Sequence, residues 1–304
     1  MKKLLLLLLM PIAVLSASAQ SNDYNMVIEL KNGTKVTLGA NDVESLTFNG
    51  EALSVSGNTI ADLYSKIAEL KTMITMYHSG EAKKVFSVND VSFTMIKVGC
   101  GTFQMGEKEW ATPVHQVTLT NDYYIGETEV TQELWQAVMG SNPSNFKGNK
   151  LPVEQVSWND CQTFIAKLNE LTGMNFRLPT EAEWEFAVRG GNASLGYTYS
   201  GSNIVGDVAW YENNSNNQTH EVATKAPNEL GIYDMIGNVF EWCQEWYGDY
   251  SSSAQTNPTG PASGSYRVLR GGAWNSDDYN CRMALRNGYW PSYPSYDLGL
   301  RLAF

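Results

Sequence analysis

Histidine is the scarcest of the chemically active residues: the 304-residue chain has three, His78, His115 and His220, far apart in sequence. That argues against a histidine-rich metal centre and against the histidine–carboxylate cluster that a non-haem iron enzyme needs. Cysteine is nearly as rare. The four present, Cys100, Cys161, Cys243 and Cys281, form no C-x-x-C pair, which argues against thioredoxin-like exchange and a local zinc knuckle. Basic residues are outnumbered, 21 Lys and Arg against 32 Asp and Glu, for a net charge of −11, and they form no cluster. Binding nucleic acid or adsorbing to anionic lipid needs such a cluster, so neither is expected. Past residue 15 the chain has no apolar run long enough to span a bilayer.

What is present begins with a compartment signal. Lys2 and Lys3 precede an apolar run from Leu4 to Leu15, and Ala17-Ser18-Ala19 offers a small-residue cleavage site. The run is too short for a membrane span and reads as a secretory signal peptide, residues 1–19. No cysteine near that site supports a lipid anchor. The expected destination is the periplasm, the cell surface or the medium, and an oxidising one makes one or two disulfides expected. Four cysteines allow three pairings, and sequence does not choose among them.

Three regions follow. Residues 20–57 carry β patterns, with Val27–Lys31 and Thr34–Leu38 flanking Asn32-Gly33, which suits a two-residue hairpin loop. A second pair, Asn49-Gly50, follows Ser45–Phe48. Residues 58–84 hold an amphipathic helix and a linker. Ile60, Leu63, Ile67, Leu70, Ile74 and Tyr77 recur at alternating spacings of three and four. That seam suits either packing on its own domain or homo-oligomerisation. Residues 85–304 form the large domain. Three helix starts are legible in it: Thr131, Ser157 with Asp160, and Thr180 with Glu183. Beyond Ser194 the composition is rich in Gly, Asn, Ser and aromatics, which suits long loops and short strands, an irregular α+β domain.

Five blocks recur in one order: Gly101–Gly106 (GTFQMG), Arg177–Glu185 (RLPTEAEWE), Gly237–Trp242 (GNVFEW), Arg270–Trp274 (RGGAW) and Leu298–Ala303 (LGLRLA). This order resembles the formylglycine-generating-enzyme family, the sulfatase-modifying-factor domain. The resemblance implies a C-type-lectin-like α+β fold elaborated with long loops. Active members carry two cysteines past the Arg-Gly-Gly block that bind copper and oxidise a sulfatase cysteine. Counted forward from the Arg-Gly-Gly block the equivalent positions are Ser276 and Cys281, and counted back from Arg282-x-Ala284-x-Arg286 Cys281 falls just outside; either way the pair is incomplete, and a hydroxyl does not replace the soft thiolate that Cu(I) selects. Copper and the oxidase activity are therefore not expected. The resemblance also implies a structural calcium ion held by the side chains of Asn238 and Glu241 with carbonyls of Ile236 and Val239, hard oxygen donors of the kind Ca²⁺ requires.

Past the Arg-Gly-Gly block the chain draws on a narrow palette. Asn275–Asn280 and Asn287–Asp297 consist almost wholly of Asn, Ser, Asp, Tyr and Gly. Tyrosine supplies rigid amphipathic contact area while Ser, Gly and Asn adapt their hydrogen bonds. Asn275, Ser276, Asp277, Asp278, Tyr279, Tyr289, Trp290, Tyr293 and Tyr296 are the candidate binding residues. The same palette is reachable from Asn codons by adenine changes, as in the lectin-fold variable proteins of diversity-generating retroelements; ordinary secreted loops share it too. The expected role is a non-catalytic binding or scaffold protein for a protein, peptide or glycan. The alternative is a formylglycine-generating oxidase with an altered thiol site.

Overall fold

A computed structural model describes residues 82–304, and, before them, the backbone of five strands. The chain divides into two units, Met1–His78 and Ser79–Phe304. The first contains β1 (Ala13–Gln20), β2 (Asp23–Leu30) and β3 (Lys35–Gly39) in an antiparallel sheet of order β1-β2-β3, and the hairpin β4 (Leu46–Phe48) with β5 (Glu51–Leu53). Within the segment read as a signal peptide, the described backbone is thus strand. The β2–β3 hairpin is present but not in the expected register. Glu29 faces Lys35 and Ile28 faces Val36, one residue out of the register in which Lys31 would face Thr34. A one-residue shift reverses which side chains share a face. The two-residue loop occurs instead at Asn49-Gly50, between the facing residues Phe48 and Glu51. The helix expected from residue 58 lies outside the described residues.

The larger unit is α+β, with many short strands and long connections. In chain order it holds β6 (Lys83–Val88), β7 (Val91–Val98), β8 (Gly101–Glu107), β9 (Ala111–Leu119), β10 (Tyr123–Gly126), α1 (Gln132–Met139), α2 (Trp158–Thr172), α3 (Glu181–Val188) and α4 (Val205–Val208). Then come β11 (Phe240–Trp246), β12 (Gln255–Thr256), β13 (Arg267–Arg270), β14 (Arg286–Tyr289) and β15 (Leu298–Gly299). Three sheets result, ordered β10-β7-β6, β12-β9-β8 and β14-β13-β11-β15, the last closed by a parallel pairing of β11 with β15.

The helices start where the sequence places their caps. Thr131 accepts from the Leu134 amide; Ser157 with Asp160 and Thr180 with Glu183 form complete capping boxes. Gly140 and Gly173 end α1 and α2 in left-handed conformations that residues with a Cβ rarely adopt. The apolar faces then build two cores. One stacks Trp135 on Phe164, 4.8 Å between centroids and nearly parallel, with Leu168, Leu178 and Trp242 around them. The other surrounds Trp184 with Ile125, Val188, Ile236 and Val268.

The five sequence blocks meet between these cores through buried charge. Glu241 of β11 receives the Arg301 guanidinium at 2.7 Å and the Trp184 indole N–H at 2.6 Å. Arg301, with no exposed surface, also donates to the carbonyls of Gly126, Tyr233 and Asp234. Arg270 of β13 pairs with Glu185 of α3 in the same dry environment. It donates further to the carbonyls of Ala284 and Leu285. Arg286 forks onto Glu181 at 2.7 and 2.8 Å. The two glycines after Arg270 are required by geometry: both have positive φ, and a Cβ on Gly272 would lie 2.7 Å from the Asn280 carbonyl.

Removing one partner of such a pair leaves a desolvated charge and costs about 3–5 kcal/mol, whereas removing both costs far less. Arg301→Met should therefore lower unfolding free energy in urea by about that amount. Adding Glu241→Gln to it should recover a substantial part of the loss. Equal destabilisation in the single and double variants would show that packing, not charge, holds this junction.

Candidate ligand-binding surface

The segment between β14 and β15 is fixed by its backbone and open at its side chains. The Pro291 carbonyl accepts from the Asn159 amide, the Ser295 carbonyl from Gln155, the Tyr296 carbonyl from the Trp274 indole, and the Asp297 carbonyl from Phe240. A turn inside it is closed by Tyr293 N–H donating to the Trp290 carbonyl at 3.0 Å. Four of these partners lie on the frame outside the segment, so little backbone freedom is left to lose on binding. Yet Trp290 is 50%, Tyr293 43% and Tyr296 46% exposed. Tyr289 is half-buried against the first core.

These rings join others into a shelf. Tyr289 meets Tyr293 at 4.4 Å with the rings tilted by 32°, and Trp290 meets Tyr289 and Tyr266 each at 5.2 Å and at steep angles. The Arg267 guanidinium lies between the rings of Trp158 and Trp246, 3.8 and 3.6 Å from their centroids, while donating to the Gln244 carbonyl. Stacked cations of this kind stiffen an aromatic surface. Beside it, the exposed Tyr247 lies against Gly288, where a Cβ would come 3.0 Å from its ring.

The other expected binding residues divide. Asn275 is exposed and its amide bridges to Asp297 Oδ2 at 3.3 Å, joining the two loops. Ser276 is buried, and its hydroxyl accepts from the Ala273 amide at 2.9 Å, so it holds the turn rather than facing a ligand. Asp277 accepts from the backbone and side chain of Asn280. Asp278 is exposed. Tyr279 leaves the shelf for Trp110 at the β8–β9 turn, with centroids 4.4 Å apart. Sequence reasoning missed Tyr247, Tyr266, Trp158 and Trp110. The pairing of β13 with β14 and β11 brings Tyr247 and Tyr266 to the shelf, and the start of α2 brings Trp158, whose indole N–H donates to the Cys243 carbonyl; no local pattern marks them.

The thiol positions are equally definite. All four cysteines are unpaired in the structure, against the expected disulfides. The reason is placement: Cys161 lies in the first core, Cys243 and Cys281 in the second, and Cys100 at the surface. Burial, reinforced by the Asp277 charge, pushes the Cys281 thiol up to about 12, so it carries its proton at neutral pH. A copper site would need a thiolate there and a second one at Ser276.

The residues expected to hold calcium are already engaged. The Asn238 side-chain oxygen accepts from the His220 amide, and its nitrogen donates to Glu129 and to the His220 carbonyl. Both Glu241 oxygens take the Arg301 guanidinium. Ile236 and Val239 are buried alongside. Burial, then the nearby Asp234 and Glu241 charges, pushes Glu129 well above the carboxylate range, which favours its proton-carrying form. These side chains do not fit a calcium ion. Among the described residues no group of three or more His, Cys, Asp or Glu is placed to hold a metal, and no helix is long and apolar enough to cross a membrane.

A family model, the sulfatase-modifying factor enzyme 1-like domain, matches residues 83–304. The chain belongs to this family. It is 35% identical over 265 residues to the chaperone protein LppX of Paenibacillus barcinonensis, covering 70% of this chain and 89% of that protein. To the formylglycine-generating enzyme of Streptomyces coelicolor it is 35% identical over 170 residues, half of this chain and 52% of that enzyme. It therefore spans about half the length of that enzyme. The Treponema denticola variable protein 1 superposes with a TM-score of 0.68 at 38% identity, over 73% of this chain and 98% of that one. The fold is accordingly the formylglycine-generating-enzyme form of the C-type-lectin-like architecture.

Two outcomes test the electrostatics of the frame. EDTA should leave the melting temperature unchanged; a fall of several degrees that Glu241→Gln abolishes would restore the calcium reading. Burial, with the Glu181 charge, pushes Glu245 up to about 8, and burial raises Asp234 to about 6. Folded values above the unfolded ones mean stability that is full at acid pH and lost as pH rises through 6 and 8. The melting temperature should therefore fall between pH 5 and 9, and Glu245→Gln should remove the upper part of that fall.

Proposed function

We propose that this protein is a non-catalytic binding or scaffold member of the sulfatase-modifying-factor family, exported, which captures a protein, peptide or glycan on its C-terminal aromatic shelf. The observation that carries this reading is the contrast within one loop. The backbone of 290–297 is pinned to the frame at four points, while Trp290, Tyr293 and Tyr296 stand exposed. Exposed aromatics on a fixed backbone bind with little ordering cost, and Trp and Tyr dominate interface energetics. At the family's thiol positions, a serine that caps a turn and a buried protonated thiol support the absence of oxidase chemistry. Two relatives fit a role of this kind by their names, one a chaperone protein and one a variable protein. By analogy with the latter, the shelf is where sequence variation would change ligand choice.

The purified protein should bind a subset of a glycan or peptide array. Trp290→Ala with Tyr293→Ala should reduce that binding at least about tenfold, with an unchanged circular-dichroism melt. It should neither take up Cu(I) tightly nor consume oxygen with a cysteine peptide. Oxygen uptake dependent on Cys281 would overturn the proposal in favour of the oxidase. Array binding indifferent to the two substitutions would overturn the shelf.

A further inference from the structure

A cavity of about 270 Å³ opens between β7, the connection from β10 into α1, and the start of α1. It shares no residue with the aromatic shelf. Its volume is close to the lower end of small-ligand cavities, about 300–1,000 Å³. Phe93 and Met95 of β7, Leu134 of α1 and Leu302 form its apolar wall. Met95, Leu134 and Leu302 belong to the first core, and Phe93 packs half-buried against it. The backbone around the opening is held at four points. The Glu127 amide donates to the Thr94 carbonyl at 2.9 Å and that of Gly126 to the Leu302 carbonyl at 2.8 Å. The Glu133 amide donates to the Asn149 carbonyl and that of Val222 to the Lys150 carbonyl, each at 3.0 Å. The cavity is thus formed before a ligand arrives, and little backbone freedom is lost when one binds.

Four charged side chains line this cavity, Glu127, Glu129, Glu133 and Lys150, and they differ in what already occupies them. Glu129 is buried, and both its oxygens accept, one from the Val239 amide and one from the Asn238 side chain. Glu127 holds the Lys83 ammonium at 2.7 Å. Glu133, in the first turn of α1, and Lys150 hold nothing: among the described residues neither side chain has a hydrogen-bond or ion-pair partner. Glu133 is partly exposed and Lys150 exposed, so both are reachable from solvent. The Glu133 amide bonds to the residue next to Lys150, which brings the two into one neighbourhood, yet their charges do not pair. Opposite charges that border one cavity without neutralising each other set up a field across it. A ligand with one charge of each sign is held and oriented by such a field, and the apolar wall is left for its carbon atoms.

We propose that this cavity binds a small zwitterion of the amino-acid class, a free ammonium and a free carboxylate carried with an apolar side chain. The ammonium is received by Glu133 and the carboxylate by Lys150, each through charge-assisted hydrogen bonds. The side chain lies against Phe93, Met95 and Leu134, where burial of its apolar surface adds to the attraction. The interior of a polypeptide carries neither terminal charge, and a simple amine or acid carries one only, so the pair of charges selects against both. A free α-amino acid and a free dipeptide share the required chemistry. The site is independent of the shelf, and either can stand without the other.

Calorimetric titration of the full chain with leucine, dileucine, glycine, leucine amide and N-acetyl-leucine tests this. Leucine or dileucine should saturate a single site. Leucine amide, which lacks the carboxylate, and N-acetyl-leucine, which lacks the ammonium, should bind at least about tenfold more weakly, as loss of one charged contact implies. Glycine, with no side chain, should also bind more weakly. Tighter binding of leucine assigns a free amino acid, and tighter binding of dileucine a free dipeptide. Lys150→Met should weaken leucine about tenfold and erase its advantage over leucine amide. Glu133→Gln should do the same for leucine against N-acetyl-leucine. Neither side chain bonds the frame, so both variants should fold, with circular-dichroism melts close to that of the parent. The crossed loss of selectivity is a result that a merely structural role does not produce. The proposal is overturned if neither zwitterion saturates, if leucine amide and N-acetyl-leucine bind as well as leucine, or if the two variants change nothing. Trp290→Ala should leave zwitterion binding intact; its loss in that variant would place the ligand on the shelf and overturn the cavity.

Discussion

Two guanidinium groups sealed from water organise this domain. Arg301 on Glu241 and Arg270 on Glu185 each link a strand of the C-terminal sheet to another part of the fold, and Trp184 touches the first pair through its indole N–H. The family's sequence blocks are the visible ends of these fasteners: Glu185 and Trp184 come from one, Glu241 from a second, Arg270 from a third, Arg301 from a fourth. Their role is assembly. Apolar packing alone does not dictate which loop meets which, whereas a buried charge left without its partner is costly. That constraint lets a chain with long irregular connections arrive at a single arrangement.

The consequence for binding is a division of labour. β11, β13, β14 and β15 pair with one another under the load of the ion pairs, while the segment between β14 and β15 contributes rings to the outside. Its backbone bonds run to Asn159, Gln155, Trp274 and Phe240, all residues of the frame. Side chains on such a segment can vary in chemistry without disturbing what holds it, since none of those bonds except that of Trp274 involves a side chain. The family's oxidative chemistry would need the opposite design: reactive thiols exposed and ionised, where this chain has a turn-capping hydroxyl and a buried thiol.

Local signals in the sequence translated well. The capping residues Thr131, Ser157 and Thr180 sit where expected because capping depends on three or four neighbouring residues. Trp290, Tyr293 and Tyr296 stand exposed in a segment poor in aliphatic residues, while Ser276 is buried and Tyr279 and Tyr289 are half-buried. Signals that depend on partners far along the chain translated poorly. Nothing near Asn32-Gly33 reveals that Glu29 faces Lys35 across β2 and β3, while Phe48 faces Glu51 across β4 and β5. Glu241 reads as an oxygen donor for an ion until Arg301, sixty residues on, is seen to occupy it. Exported context suggests disulfides, but all four cysteines are unpaired, Cys161 in one core, Cys243 and Cys281 in the other and Cys100 at the surface. Tyr247 and Tyr266 join the shelf only through strand pairing, and no residue beside them announces it.

The reach of Arg301 has a kinetic side. It bonds to Gly126, 175 positions earlier, and to Tyr233 and Glu241 in between. The segments it gathers also meet directly, through the Tyr233 amide on the Glu127 carbonyl and the Val239 amide on Glu129, and Arg301 ties them to the chain's last residues. Contacts this distant carry a heavy loop-closure cost and slow folding relative to domains built from local contacts. The chain should thus remain open until its final strands dock, with the aromatic segment between β14 and β15 among the last parts to take shape.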